Sequence, residues 1–229
     1  MQPQTPHPRP LRVAAVLSIL FAVLLALVAA RWGPLMGTDR DLIVPLHRSA
    51  LDHPGWTQTN RVLTDWIWDP WTMRALTAVI VLWLLLHRER TPALWVAVTA
   101  AAGTALQQGI KALLDRPRPH WANPVDSAHY AAFPSGHALT ATVTFGLLLW
   151  MLRLHGAPAL WQRLATAVAA VSVLGVGFTR TYLGVHWPTD ILGGWLLGAA
   201  LVAWAVAMYP STVIHRGERK SPSDGKVRP

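Results

Sequence analysis

Apolar and polar positions fall in blocks along this chain instead of alternating. Nearly uncharged apolar runs occupy residues 13–30, 71–86, 92–114, 138–154, 160–178 and 191–209. A membrane-spanning helix needs ~20 mainly apolar residues. The pattern therefore predicts an all-α, six-helix transmembrane bundle. The first run follows Arg9 and Arg12 and resembles a leader. Its length exceeds the ~7–15 apolar residues of a signal-peptide core, so a retained helix is expected, with cleavage after Ala30 as the alternative. The second run is short and contains Arg74, expected to snorkel to the interface.

This reading divides the chain into a cytoplasmic segment (1–12), the bundle (13–209) and a polar basic tail (210–229) expected to lack fixed structure. An even number of spans puts both termini on one side. With that side inside, Arg9, Arg12, Arg88, Arg90, Arg153, Arg163 and the basic tail all face the cytoplasm, and few acids oppose them. This is the positive-inside pattern. The long connection 31–70 is then external. Its Trp56, Trp66 and Trp68, with Trp71, read as an interfacial belt. One short surface helix is expected within it. A bacterial inner membrane is the expected location.

Composition supports this picture. The chain is 52% hydrophobic and 14% charged, with thirteen Trp, whereas soluble domains carry about 25% charged residues. The net charge of +9 lies mostly between apolar runs, so orientation in a bilayer explains it better than nucleic-acid binding. Cysteine is absent, which removes disulfides and thiolate metal sites.

Three polar clusters interrupt the oily chain, and the topology places all of them on the outer face. The first holds Lys111, Arg116 and Arg118 at the end of the third helix. Guanidinium forks with a point charge suit a phosphate; interfacial anchoring is the plainer alternative, and Asp115 could simply pair with Arg116. The second is Pro134-Ser135-Gly136-His137, opening the fourth helix. Ser135 could be only an N-cap, yet a helix start offers free N–H groups to an anion, with His137 beside it as a proton donor. The third joins helices five and six and contains Thr179, Arg180, His186 and Asp190. Pro188 suits a first helical turn, which puts Asp190 in that turn. Asp190 could complement the helix dipole, or hold the Nδ1–H of His186 and leave Nε2 as a nucleophile.

In this order and spacing the clusters resemble the type-2 phosphatidic acid phosphatase superfamily, whose pattern runs K-x6-R-P, P-S-G-H and S-R-x5-H-x3-D. Lys111, Arg118-Pro119, Pro134 to His137, Arg180, His186 and Asp190 match it. Thr179 stands where the family usually has Ser and keeps the hydroxyl. The resemblance covers roughly residues 40–209. It implies in-line attack by His186, a phosphohistidine, and His137 as acid and then base. It implies that Asp190 orients His186. Lys111, Arg118, Ser135, Gly136 and Arg180 would hold the phosphate oxygens. No cofactor and no metal are implied.

The leading function is therefore an outer-face phosphatase whose partners are the bilayer and a lipid phosphate. Undecaprenyl diphosphate, phosphatidylglycerol phosphate and phosphatidic acid are the candidates, and the compact outer loop favours the first. A phosphotransferase on the same scaffold and a non-catalytic lipid-binding or transport protein are the alternatives. The haloperoxidases that share this anion pocket are soluble, unlike this chain. Gly194 and Gly198 form a small-x3-small pair that permits close packing without establishing an oligomer.

Overall fold

A computed structural model describes residues 8–210, all in helices, turns and loops, with no strand among the described residues. The expected tail (210–229), apart from Pro210, and most of the N-terminal segment lie outside them. The helices are α1 (Pro8–Ala29), α2 (Gly33–Asp52), α3 (Pro54–Val62), α4 (Pro70–Leu86), α5 (Arg90–Leu114), α6 (Gly136–Leu154), α7 (Ala159–Tyr182) and α8 (Pro188–Met208). A π-helical turn, Leu63–Ile67, follows α3.

Five helical stretches are long and apolar enough to cross a membrane: α1, the unit ending in α4, α6, α7 and α8. Helix α5 is the sixth run. It spans 25 residues but carries Gln107, Gln108 and Lys111 towards its end. The chain is a multi-pass membrane protein with an all-α bundle.

The local chemistry explains the helix starts. Asp69 caps α4, accepting from the Trp71 N–H at 2.6 Å, with Pro70 at the first helical position. Ser135 caps α6 through Ala138 N–H at 3.5 Å. Pro188 opens α8 and Asp190 lies in its first turn, as the spacing predicts.

Helix α8 is the centre of the bundle, packed against α1, α6 and α5. Its small residues permit that. A Cβ at Gly194 would meet the Ser135 carbonyl oxygen at 2.7 Å, and one at Gly198 would meet the Thr142 Cβ at 2.9 Å. The small-x3-small pair is thus spent inside the chain, on the α6–α8 seam. Between α4 and α6, the Thr77 and Thr144 hydroxyls share a hydrogen bond of 2.9 Å.

The outer connection differs from expectation. It contains two helices and a π turn, not one short helix. Helix α2 buries Asp39, Ile43, His47 and Ala50, a stripe at helical spacing. Half of that stripe is polar, so a search for apolar runs passes over it. Trp68 also departs from the interfacial reading. Trp56, Trp66 and Trp71 are exposed, but Trp68 is buried, its ring filling a notch that Gly175 leaves on α7. Arg74 sits over the Trp71 ring at 5.0 Å, a cation–π contact at the start of α4.

Candidate active site

One end of the bundle gathers the close of α5, the start of α6, and the α7–α8 link. The 117–131 loop covers them and is pinched at its base, where Ala132 N–H donates to the Arg116 carbonyl at 2.8 Å. Trp121 anchors the loop. Its ring stacks on His47 of α2 at 3.8 Å, and its Nε1–H donates to the Gly184 carbonyl at 2.8 Å. Gly184 has φ +70°, and a Cβ there would lie 2.6 Å from the Trp121 Nε1, so glycine answers both the backbone turn and the close approach.

His186 is enclosed, at 1% exposure. Its Nδ1 stands 3.3 Å from an Asp190 carboxylate oxygen, and its Nε2 is 3.1 Å from the Arg118 guanidinium. Arginine can only donate. Nε2 is therefore the lone-pair nitrogen, and the proton sits on Nδ1, facing Asp190. Burial first, then the charges of Arg118, Arg180 and Lys111 and the neighbouring His137, hold the imidazole well below its ordinary pKa of 6.5. His186 is neutral at pH 7. Arg118 touches His186 directly, and Lys111, Arg180 and His137 lie near enough for their charges to act on it.

The remaining expected residues are arranged as follows. Arg118 is tethered by the Tyr130, Val185 and His129 carbonyls at 2.9, 2.6 and 3.2 Å. Burial, then the charge of Arg180, pulls its guanidinium down to about 10, so it stays protonated at neutral pH. Lys111 is buried and donates to the Ala131 carbonyl. Arg180 is buried; its Nε has no hydrogen-bond partner among the described residues, and its Nη1 is 3.7 Å from both Asp65 and Asp126. Ser135 is buried and caps α6. Its N–H donates to the Asp190 carbonyl at 3.0 Å, which ties the start of α6 to the start of α8. Gly136 is the first residue of α6, with the Gln107 amide close against it. His137 is half-buried beside it. Thr179 turns its hydroxyl onto the Val176 carbonyl at 3.0 Å. His120 and His129 have exposed side chains.

Arg116 has another place. It does not pair with Asp115, which ends α5 in a left-handed conformation (φ 40°) and is exposed. That turn sends Arg116 inward, where Nη2 meets Asp39 at 2.7 Å and Nη1 meets Asp190 at 2.5 Å. Thr189 closes the network, donating its hydroxyl to Asp39 at 2.6 Å and its N–H at 3.0 Å. Asp190 spends its other oxygen on His186 and on the Trp187 N–H at 2.9 Å. Asp39, Asp65, Asp126 and Thr189 were not singled out in sequence. Asp39 is 150 residues from Thr189 in the chain, and no local spacing announces such a pair.

The chain is thus a helical membrane bundle that encloses a histidine–aspartate pair among cations at one end. A family model of the PAP2 superfamily matches residues 92–213, and the chain belongs to that superfamily. It is similar to phosphatidylglycerophosphatase B of Bacillus subtilis (strain 168), at 30% identity over 128 residues, 55% of this chain and 62% of that protein. It is also similar to a putative undecaprenyl-diphosphatase of Escherichia coli (strain K12), at 36% identity over 124 residues, 52% of this chain and 58% of that protein. The matched regions thus span about 60% of these relatives' length. The fold matches the crystal structure of a transmembrane PAP2-type phosphatidylglycerolphosphate phosphatase from Bacillus subtilis. Its TM-score is 0.73 at 22% identity, covering 92% of this chain and 98% of that one.

Proposed function

We propose that this protein is a lipid phosphatase that works through a phosphohistidine on His186. One observation carries the reading. The His186 imidazole is neutral, with Nδ1 turned to Asp190 and the Nε2 lone pair facing a guanidinium inside a cluster of cations. A nucleophile needs that lone pair, and a phosphate needs those cations.

Arriving phosphate oxygens would draw Arg118 off Nε2, since an anion is a stronger acceptor than imidazole. Nε2 would then attack phosphorus in line. The P–O bond to the leaving oxygen breaks, and His137 gives that oxygen a proton. Asp190 steadies the charge that develops on His186. Water then attacks the phosphohistidine, its proton passing to His137, and phosphate leaves. Arg180 supports the cradle with an Nε donor that no group among the described residues occupies. Lys111, the Gly136 N–H and the Ser135 hydroxyl complete it. Asp65 and Asp126, 3.7 Å from Arg180, keep that guanidinium aimed inward.

The substrate is a phosphomonoester or diphosphate lipid. Relatives are named for phosphatidylglycerophosphate and for undecaprenyl diphosphate, and the latter is our preferred substrate, with phosphatidic acid a third candidate. The site lies on the extracytoplasmic face of a bacterial inner membrane, with the termini in the cytoplasm. A phosphotransferase differs only in the acceptor that takes the phosphohistidine.

Phosphate release from the three lipids in detergent tests the proposal. His186→Ala is expected to abolish release while keeping the wild-type elution profile, and wild-type activity is expected to persist in EDTA. Release by the variant overturns the nucleophile; loss in EDTA restored by Mg²⁺ overturns the metal-free chemistry. Phosphorylated acceptor forming faster than free phosphate would favour the transferase.

A further inference from the structure

A cavity of about 630 Å³ opens at the same end of the bundle, with Arg116 and Trp187 in its wall. The end of α1, helix α2 and the end of α5 form its walls. Its floor is apolar, with Val28 from α1 and Leu113 and Leu114 from α5. Its rim is basic, with the exposed Arg31 and Arg40. Neither arginine has an acidic partner within 4.0 Å among the described residues. Asp39 is the acid in the wall, and Arg116 and Thr189 already occupy both of its oxygens. It therefore does little to offset the rim charge.

We propose that this cavity seats an anionic glycerophospholipid, with its phosphate and head group between Arg31 and Arg40 and its first acyl carbons on Leu113, Leu114 and Val28. A free anion would use the rim and leave the apolar floor wet. A neutral lipid would use the floor and leave two guanidinium groups without a counter-charge at the edge of the bilayer. Only an amphiphile with a negative head satisfies both halves. Leu113 is 87% exposed, a large apolar surface beside a charged rim, as a lipid contact requires. Arg116 and Trp187 of its wall also bond Asp190, but none of the groups assigned to the phosphate lines the cavity, and the proposal does not depend on the phosphatase reading because binding itself is measured.

The test is native mass spectrometry of the full chain in detergent, titrated with phosphatidylserine or phosphatidylcholine of matched acyl chains. Wild type is expected to retain one phosphatidylserine in preference to phosphatidylcholine. The exposed pair Arg31→Gln with Arg40→Gln is expected to weaken that retention by about tenfold, since two charge-assisted contacts are lost. Arg74→Gln, a basic change at the start of α4, is expected to leave it intact, and all variants should keep the wild-type melting temperature. Equal retention of the two lipids by wild type, unchanged retention by the double variant, or equal loss in Arg74→Gln overturns the proposal. So does displacement of the lipid by millimolar inorganic phosphate, which would mark a free-anion site.

Discussion

At the scale of single residues, the proposed chemistry rests on how His186 is held. Its pKa is lowered from 6.5, first by burial and then by the cations around it. The neutral form, the one proposed to attack, therefore persists below pH 6.5 and is lost only when acid overcomes that depression. The acid limb of kcat/KM is expected below pH 6.5 in wild type. Arg118→Gln removes one cation and the bond to Nε2, so its limb should move up towards 6.5; a limb that stays put would assign it to another group. Arg116 acts one step further out, between two buried carboxylates. Arg116→Leu strips their counter-charge and is expected to cost about 3–5 kcal/mol in thermal unfolding, the usual toll of breaking a buried pair. Arg116→Lys keeps the charge but not the fork. If the fork aims Asp190 at His186, that variant should lose kcat with KM little changed. The spacing His186-x3-Asp190 was readable because both partners lie within one turn of chain. The Asp39–Arg116 brace was not, because a buried ion pair between distant segments leaves no periodic trace.

At the scale of helices, glycine decides how closely α8 can approach α6. Gly194→Ala would drive a methyl to 2.7 Å from the Ser135 carbonyl oxygen. It should lower stability by ~1–3 kcal/mol, as overpacking does, and disturb the cap that starts α6. Gly109→Ala, with nothing within 4 Å of its Cβ, should instead gain up to ~1 kcal/mol of helix propensity. Melting curves of the two variants in detergent would diverge in sign. The six long helices were legible because their apolar length is a signal by itself. Helix α2 was not, because its buried stripe includes Asp39 and His47. Trp68 departs from the interfacial expectation for a related reason: its sequence context is that of a membrane-edge Trp, and the notch that buries it lies on α7 at Gly175, far away in the chain. The loop over the site is legible only in outline, since its clamp, His47 on Trp121, joins residues far apart in the chain.

At the scale of the whole molecule, every group assigned to the phosphate lies at one end of the bundle, while α1 begins and α8 ends at the other. At the opposite end the prominent polar contact is His155 with Glu89 at 2.8 Å, a pair open to solvent and not enclosed as His186 is. The proposed catalysis is therefore one-sided whichever way the bundle inserts. In sealed vesicles carrying uniformly oriented protein and a lipid phosphate in both leaflets, release should stop with about half of the substrate untouched, because a charged head group crosses a hydrocarbon core very slowly. Adding detergent should release the rest. Complete hydrolysis in intact vesicles would show that the bundle itself moves lipid. The single-ended placement thus has a mechanical side effect. Under the proposed activity each turnover would strip charge from one leaflet alone, so the working protein would continuously unbalance the two faces of its own membrane and depend on some separate lipid-moving activity to restore them.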